Sequence, residues 1–144
     1  MGYRAGSRVL ASDVSVLADS AWTAFTPTWT NLTLGNGVLT CSYYKVSRLI
    51  HASYSLLFGS TTAITGSPTV TLPESAAPSQ SIVVTAEYKD DTPTVTYPGF
   101  VYLSGTVLLP CTTASPRASI SSTSPMTWTT SDRIGFQVDY QSAS

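Results

Sequence analysis

The chain has 144 residues, of which 42% are hydrophobic and only 10% are charged, and its formal net charge is -1. This length and hydrophobic content fit one domain with a real core, and they argue against intrinsic disorder. The seven basic residues are scattered along the chain, so no cluster is able to displace counterions from a phosphate backbone. Direct binding of nucleic acid is therefore not expected.

The first part of the chain, residues 1–24, is predicted to be an attachment arm that contains a short helix. Leu10, Val14 and Leu17 recur at helical spacing. A helix of about a dozen residues is marginal in water by itself, so its apolar stripe has to pack on something. We therefore expect Leu10, Val14, Leu17 and Trp22 to bind a partner protein; packing of the arm on its own domain is the alternative.

Localisation signals and cysteine pattern point to an intracellular setting. No segment approaches the roughly 18 consecutive apolar residues that a membrane span needs. The opening residues MGYRAGSR lack the apolar core of a signal peptide, so we expect no membrane contact and assembly in a cytoplasm. Cys41 and Cys111 are seventy positions apart, without a CxxC motif or a nearby histidine, which predicts buried free thiols. A single disulfide between them is the alternative.

Residues 25–144 are predicted to form one all-β domain. In two segments apolar and polar residues alternate, and this alternation places His51 and Asp139 on a polar face. The other candidate strands are rich in β-branched or aromatic residues and lie between turn residues. In chain order the predicted strands are 38–44, 50–58, 69–72, 82–88, 100–103, 106–109, 117–121 and 134–140.

Turn residues between these segments set the predicted fold class. The dipeptides Asn36-Gly37 and Ser104-Gly105 are hairpin signals. About eight short strands without crossover helices suit an antiparallel β-sandwich, of the jelly-roll type. A group of prolines is expected between strands, where a missing N–H does no harm. These are Pro73, Pro78, Pro93, Pro98, Pro110, Pro116 and Pro125.

The chain offers little material for catalysis, and we predict no enzyme activity, no cofactor and no metal site. His51 is the only histidine, and no G-x-S-x-G motif presents a serine nucleophile. We expect His51 to be solvated or packed at an interface. The carboxylates are mostly separated by whole strands, and the one adjacent pair, Asp90-Asp91, lies in a segment typical of a solvated hairpin tip.

Large aromatic side chains are the remaining candidates for recognition. Trp29 lies at the junction of arm and domain, and Trp128 lies in a late loop. Packing in the core or at a subunit interface is the first interpretation, because large rings bury much area per residue. Stacking on sugar rings is the alternative. Trp29 and Trp128 are therefore the candidate interface or ligand aromatics.

Several motifs carry a resemblance to a known group of proteins. WTAFTPTWT over residues 22–30 is followed by glycines and by Tyr43-Tyr44, and PMTW over residues 125–128 comes near the end. Together with LFGSTT over residues 57–62, these motifs span nearly the whole chain. The combination resembles small β-rich virion proteins of tailed phages that infect actinobacteria, of the minor tail, head-fibre or capsid decoration type.

This resemblance implies a compact β-sandwich that assembles as a homotrimer and is attached to the virion by its N-terminal arm. The function that it implies is capsid decoration, as a head-fibre or cement protein. The alternative is a minor tail or tail-fibre component that binds a receptor or a glycan. The expected partners are other copies of the chain and a phage capsid or tail protein, and no catalytic residues come with the resemblance.

Overall fold

The computed structural model describes residues 21–144, and these form nine β-strands without a helix. The arm residues Leu10, Val14 and Leu17, with the short helix predicted around them, lie outside the described residues. The strands are β1 Thr23–Ala24, β2 Trp29–Thr33, β3 Val38–Val46, β4 Leu49–Leu57, β5 Ala63–Thr71, β6 Val83–Asp90, β7 Val95–Ser104, β8 Val107–Thr112 and β9 Arg133–Gln141.

All nine strands belong to one antiparallel sheet with the order β1-β3-β4-β9-β6-β7-β8-β5-β2. The prediction of an all-β antiparallel fold is confirmed, whereas the jelly-roll subtype stays a prediction. β1 and β2 stand at opposite ends of this order although only residues 25–28 separate them in the chain. The sheet therefore curls around a common core, across which the Tyr54 hydroxyl of β4 donates to the Thr71 carbonyl of β5 at 2.9 Å.

Alternation along the strands places every second side chain in this core. β4 and β9 pair over nine positions, from Leu49 opposite Gln141 to Leu57 opposite Arg133, so their inward rows coincide. Stacking of Tyr54 on Phe136, with ring centroids 4.6 Å apart, joins the two rows. Other fully buried members of the core are Ile50, Ala52, Val70, Tyr88, Val101, Leu108, Ile120 and Val138.

Two strands were not predicted, and one prediction is wrong. β1 is too short to show periodicity, and in β2 the register shifts at Asn31, whose φ of 57° breaks the alternation. The predicted strand 117–121 forms only isolated bridges, one of them between Cys111 and Ser119. It covers the end of β8 through two backbone hydrogen bonds, which is too little pairing for a full strand.

The positions of two prolines also differ from the prediction. Pro98 lies inside β7 and Pro110 inside β8, not between strands. The pairing of β7 with β8 ends at Gly99, so one side of Pro98 has no strand partner. The Pro110 carbonyl accepts from the Ile120 N–H. The backbone edge of Pro110 that carries this carbonyl and the proline nitrogen therefore faces the irregular segment around Ile120. Both sites therefore tolerate a residue that has no N–H to donate.

Of the two hairpin signals, only Ser104-Gly105 joins strands that pair, β7 and β8. Asn36-Gly37 does form a turn, but β2 pairs with β5 and β3 pairs with β4, so the hairpin prediction is wrong there. The Asn36 side chain instead donates to Ser60 Oγ at 3.0 Å and accepts from the Thr61 N–H at 2.9 Å. The turn is thereby tied to the β4–β5 loop.

Candidate functional site

Four adjacent strands, β3, β4, β9 and β6, turn one face away from the core, which we call the outer face. Its middle rows carry small or polar side chains. Ser53 and Ser55 of β4 stand opposite Gln137 and Gly135 of β9. On the other side of β9, Glu87 of β6 stands opposite Gly135. The middle of the outer face is therefore shallow and rich in hydrogen-bonding groups.

A groove of about 740 Å³ opens on this face around Gly135. A Cβ placed on Gly135 would have no atom within 4 Å, so the missing side chain is what leaves the space open. The side chains around it are hydroxyls, an amide, a carboxylate and two cations. They belong to Ser53, Ser55, Thr85, Glu87, Lys89, Arg133 and Gln137.

One end of the groove is positively charged. Lys89 of β6 and Arg133 of β9 stand directly opposite each other, an arrangement of like charges that destabilises a sheet. The Lys89 Nζ lies 3.9 Å from Oδ1 of Asp91, while Arg133 forms no ion pair within residues 21–144. Only Glu87 brings a negative charge into the middle of the groove. The charges thus favour an anionic group at this end.

The outer face also carries an aromatic cluster of Trp22, Tyr44 and His51, in which each ring contacts the other two. Tyr44 stacks on His51 with ring centroids 5.2 Å apart, and Trp22 meets the two rings edge-on at 5.0 and 5.5 Å. Oδ1 of Asp139 lies 2.6 Å from Nδ1 of His51. His51, expected to be solvated or at an interface, is therefore packed within its own chain. The cluster fixes the point at which the predicted arm meets the sheet.

The two tryptophans proposed as interface or ligand residues lie elsewhere. Trp29 and Trp128 are half-buried and pack against the core, away from Trp22. Trp128 stacks on Phe58 with centroids 4.8 Å apart, and its Nε1–H donates to the Ser121 carbonyl at 2.9 Å. The buried Nε1–H of Trp29 has no acceptor among the described residues. The structure does not bring the predicted tryptophans into one site.

Sequence reasoning missed Asp132, a fully buried carboxylate next to the groove. Its Oδ1 accepts from the Asp91 N–H at 3.0 Å, and its Oδ2 accepts from the Thr129 N–H at 2.5 Å. These bonds tie the β6–β7 turn to the loop before β9. The turn is the exposed tip predicted at Asp90-Asp91, but its backbone is anchored by Asp132 and not by solvent alone. The anchor also positions Arg133, the next residue.

The buried thiol and phenol groups belong to the core. Cys41 and Cys111 are both buried and free, as predicted, and burial raises the pKa of both thiols. A thiol with a raised pKa stays protonated and is a poor nucleophile at neutral pH. The Tyr88 hydroxyl donates to the Cys111 carbonyl at 2.9 Å, and the Tyr140 hydroxyl donates to the Glu74 carbonyl at 2.8 Å. Burial raises the pKa of Tyr140 to about 12.

The described part of the chain shows neither a metal signature nor a helix that could span a membrane. Within residues 21–144, no group of three or more His, Cys, Asp and Glu side chains is placed to hold a metal ion. None of these residues belongs to a helix that is long and apolar enough to cross a membrane.

Comparison with known proteins adds no relative. No protein-family model, no curated protein and no solved structure matches this chain.

Proposed function

We propose that this chain is a bacteriophage virion structural protein, a homotrimeric capsid decoration subunit of the head-fibre or cement type that its N-terminal arm attaches to the particle. The observation that best supports self-association is the edge of β3. This strand has nine residues, but β1 pairs with only Ser42 and Tyr43. Among the described residues one further bond, from the Phe25 N–H to the Cys41 carbonyl at 3.1 Å, reaches this edge, and both ends of β3 have no strand partner there. Such an edge is a template for pairing with another chain.

Apolar side chains extend this edge onto the outer face. Val38, Val46 and Leu49 are 53%, 38% and 48% exposed, and we call them the β3–β4 strip. Val46 and Leu49 stand opposite each other at one end of the β3–β4 pair, and Val38 stands opposite Leu57 at the other end, so the strip consists of two apolar patches. Each square ångström of apolar surface that a second copy covers contributes about 25 cal/mol. The strip therefore favours contact between copies.

Charge opposes this contact very little. The chain has 7 basic and 8 acidic residues, and a net charge near zero promotes association. Lys45 is the one charged residue of β3, and its Nζ pairs with Oε2 of Glu74 at 2.6 Å on the other face of the strand. Arg48, in the turn between Val46 and Leu49, is exposed, and its guanidinium donates to the Ser142 carbonyl at 2.9 and 3.1 Å, which holds this cation against its own chain.

The arm gives this assembly a means of attachment. Trp22, a residue of the predicted arm, is held on the outer face against Tyr44 and His51, next to Val46 and Leu49 of the strip. Three arms on one trimer would bind a shell with higher avidity than one arm alone. A bound trimer would stabilise the shell, because its contacts have to break before the shell subunits separate.

The experiment adds purified protein to phage shells that lack it and measures the temperature at which the shells open. The full-length chain is expected to bind and to raise this temperature. A variant without residues 1–20, which keeps the Trp22 cluster, is expected to form trimers that do not bind. Shells that resist heat equally well with and without the protein would contradict the decoration role, and binding to isolated tails instead would favour the minor tail role.

A further inference from the structure

We propose that the groove around Gly135 binds a short acidic oligosaccharide whose carboxylate pairs with Lys89 and Arg133. This inference goes beyond the particle role and does not depend on it. The groove is centred on β9 and β6, whereas the β3–β4 strip lies at the edge of the sheet. None of the residues that line the groove belongs to the strip, so the two surfaces can be changed separately by mutation.

The anionic part of the ligand is assigned by the two cations. Lys89 and Arg133 are two of only seven basic residues in the chain, and they stand opposite each other on neighbouring strands. A carboxylate between them removes their repulsion, and the planar guanidinium of Arg133 suits two parallel hydrogen bonds to it. Asp132 anchors the loops on either side, so both cations start from fixed backbone positions.

The saccharide part of the ligand is assigned by the middle of the groove. Sugar hydroxyls both donate and accept hydrogen bonds, and Ser53, Ser55 and Gln137 offer both functions. The Glu87 carboxylate can accept from two neighbouring hydroxyls of one ring. The volume of about 740 Å³ lies within the roughly 300–1,000 Å³ of ligand sites.

The same features disfavour an acidic peptide. A peptide bound on a sheet face gains specificity from pockets that take alternate side chains. Here the floor consists of strand backbone and small side chains around Gly135, with no deep apolar pocket among its lining residues. Glu87 would repel consecutive carboxylates, so it favours a saccharide in which the acidic ring is followed by a ring with only neutral hydroxyls.

Gly135 provides a variant that blocks the groove without disturbing the core. A Cβ at this position meets no atom within 4 Å, and valine is favoured in strands. Gly135→Val should therefore fold and place a branched side chain on the floor of the groove. Arg133→Gln removes one cation and keeps the length of a polar side chain. Arg117→Gln is the matched control, since it makes the same change in charge over the Tyr102 ring, away from the groove.

The test measures binding to oligogalacturonate, alginate and hyaluronan fragments by titration calorimetry, with the amide NMR signal of Gly135 as the local reporter. The uncharged control for each fragment is its methyl ester. At least one acidic fragment is expected to bind and to shift the Gly135 signal. Its methyl ester, and the Arg133→Gln variant, should bind about tenfold more weakly or worse. Gly135→Val should not bind, and Arg117→Gln should behave as the unmodified protein.

Several results would overturn the proposal. Absence of binding to every acidic fragment, or equal binding of acids and esters, would remove the assigned carboxylate contact. Unchanged binding by Gly135→Val would place the ligand elsewhere. Stronger binding of polyglutamate, lost in Arg133→Gln, would assign the groove to an acidic peptide. The molar mass of each variant, measured in parallel, separates these outcomes from a failure of the trimer proposal.

Discussion

Asp132→Ala is expected to destabilise the domain by about 3 kcal/mol. The carboxylate is fully buried and accepts the N–H groups of Asp91 and Thr129, so alanine removes both hydrogen bonds. A hydrogen bond to a charged group contributes about 1.5–3 kcal/mol, which gives about 4 kcal/mol for the two. Alanine also removes the cost of burying a charge, which offsets part of this loss. A loss of about 3 kcal/mol is large against a total stability of about 5–15 kcal/mol.

The assay is urea unfolding followed by tryptophan fluorescence, which reports on Trp128 in the loop that Asp132 anchors. Hydrogen exchange of the Asp91 and Thr129 amides gives a local readout, and both should exchange faster in Asp132→Ala. Asp139→Ala is the control, because that carboxylate also has a close partner but is 66% exposed. Exposed pairs contribute at most about 1 kcal/mol. Equal losses in the two variants, or less than about 0.5 kcal/mol for Asp132→Ala, would refute the reasoning.

Two further outcomes follow from the core. Burial raises the pKa of Tyr54, Tyr88 and Tyr140 above that of the unfolded chain, near pH 10. The Cys41 and Cys111 thiols, whose pKa burial also raises, act in the same direction from about pH 9. Stability against urea should therefore be level near neutral pH, begin to fall above about pH 9 and fall more steeply above about pH 10, by about 1.4 kcal/mol per pH unit for each tyrosine that stays neutral when folded; a flat profile to about pH 11.5 would contradict this. Gly99→Ala should cost about 3 kcal/mol in the same assay, because its Cβ would meet backbone as well as the Tyr88 ring, at 2.6 Å from the Cys111 carbonyl oxygen. Gly135→Ala, with open space around it, should be neutral or stabilising, and similar losses in both variants would show that the contacts at Gly99 yield easily.

Much of the β domain was predictable because alternation survives in its long strands. The segment 134–140 differs from the observed β9 by one residue at each end. The same alternation placed His51 and Asp139 outside the core, where both are found. The strand order was not predictable, because β4 and β9 pair across 88 positions, as the contact between His51 and Asp139 shows, and local patterns carry no information about such partners.

The candidate site depended on this missing information. Gly135, Lys89 and Arg133 were ordinary residues in sequence, and only the pairing of β6 with β9 brings them together. Asp132 gave no signal either, since its role depends on the distant Asp91 amide. The tryptophans were conspicuous in sequence for their size, yet Trp128 completes the core beside Phe58. Side-chain size predicted burial better than it predicted recognition.

The most direct test of the central proposal is the molar mass of the intact chain, measured by light scattering over a range of concentrations. A trimer predicts three times the chain mass of 15.2 kDa. Leu49→Lys in the β3–β4 strip should lower this mass, whereas Val83→Lys, a charge of the same sign at an exposed valine outside the strip, should not. A mass of 15.2 kDa at every concentration would contradict self-association and, with it, the trimeric decoration role.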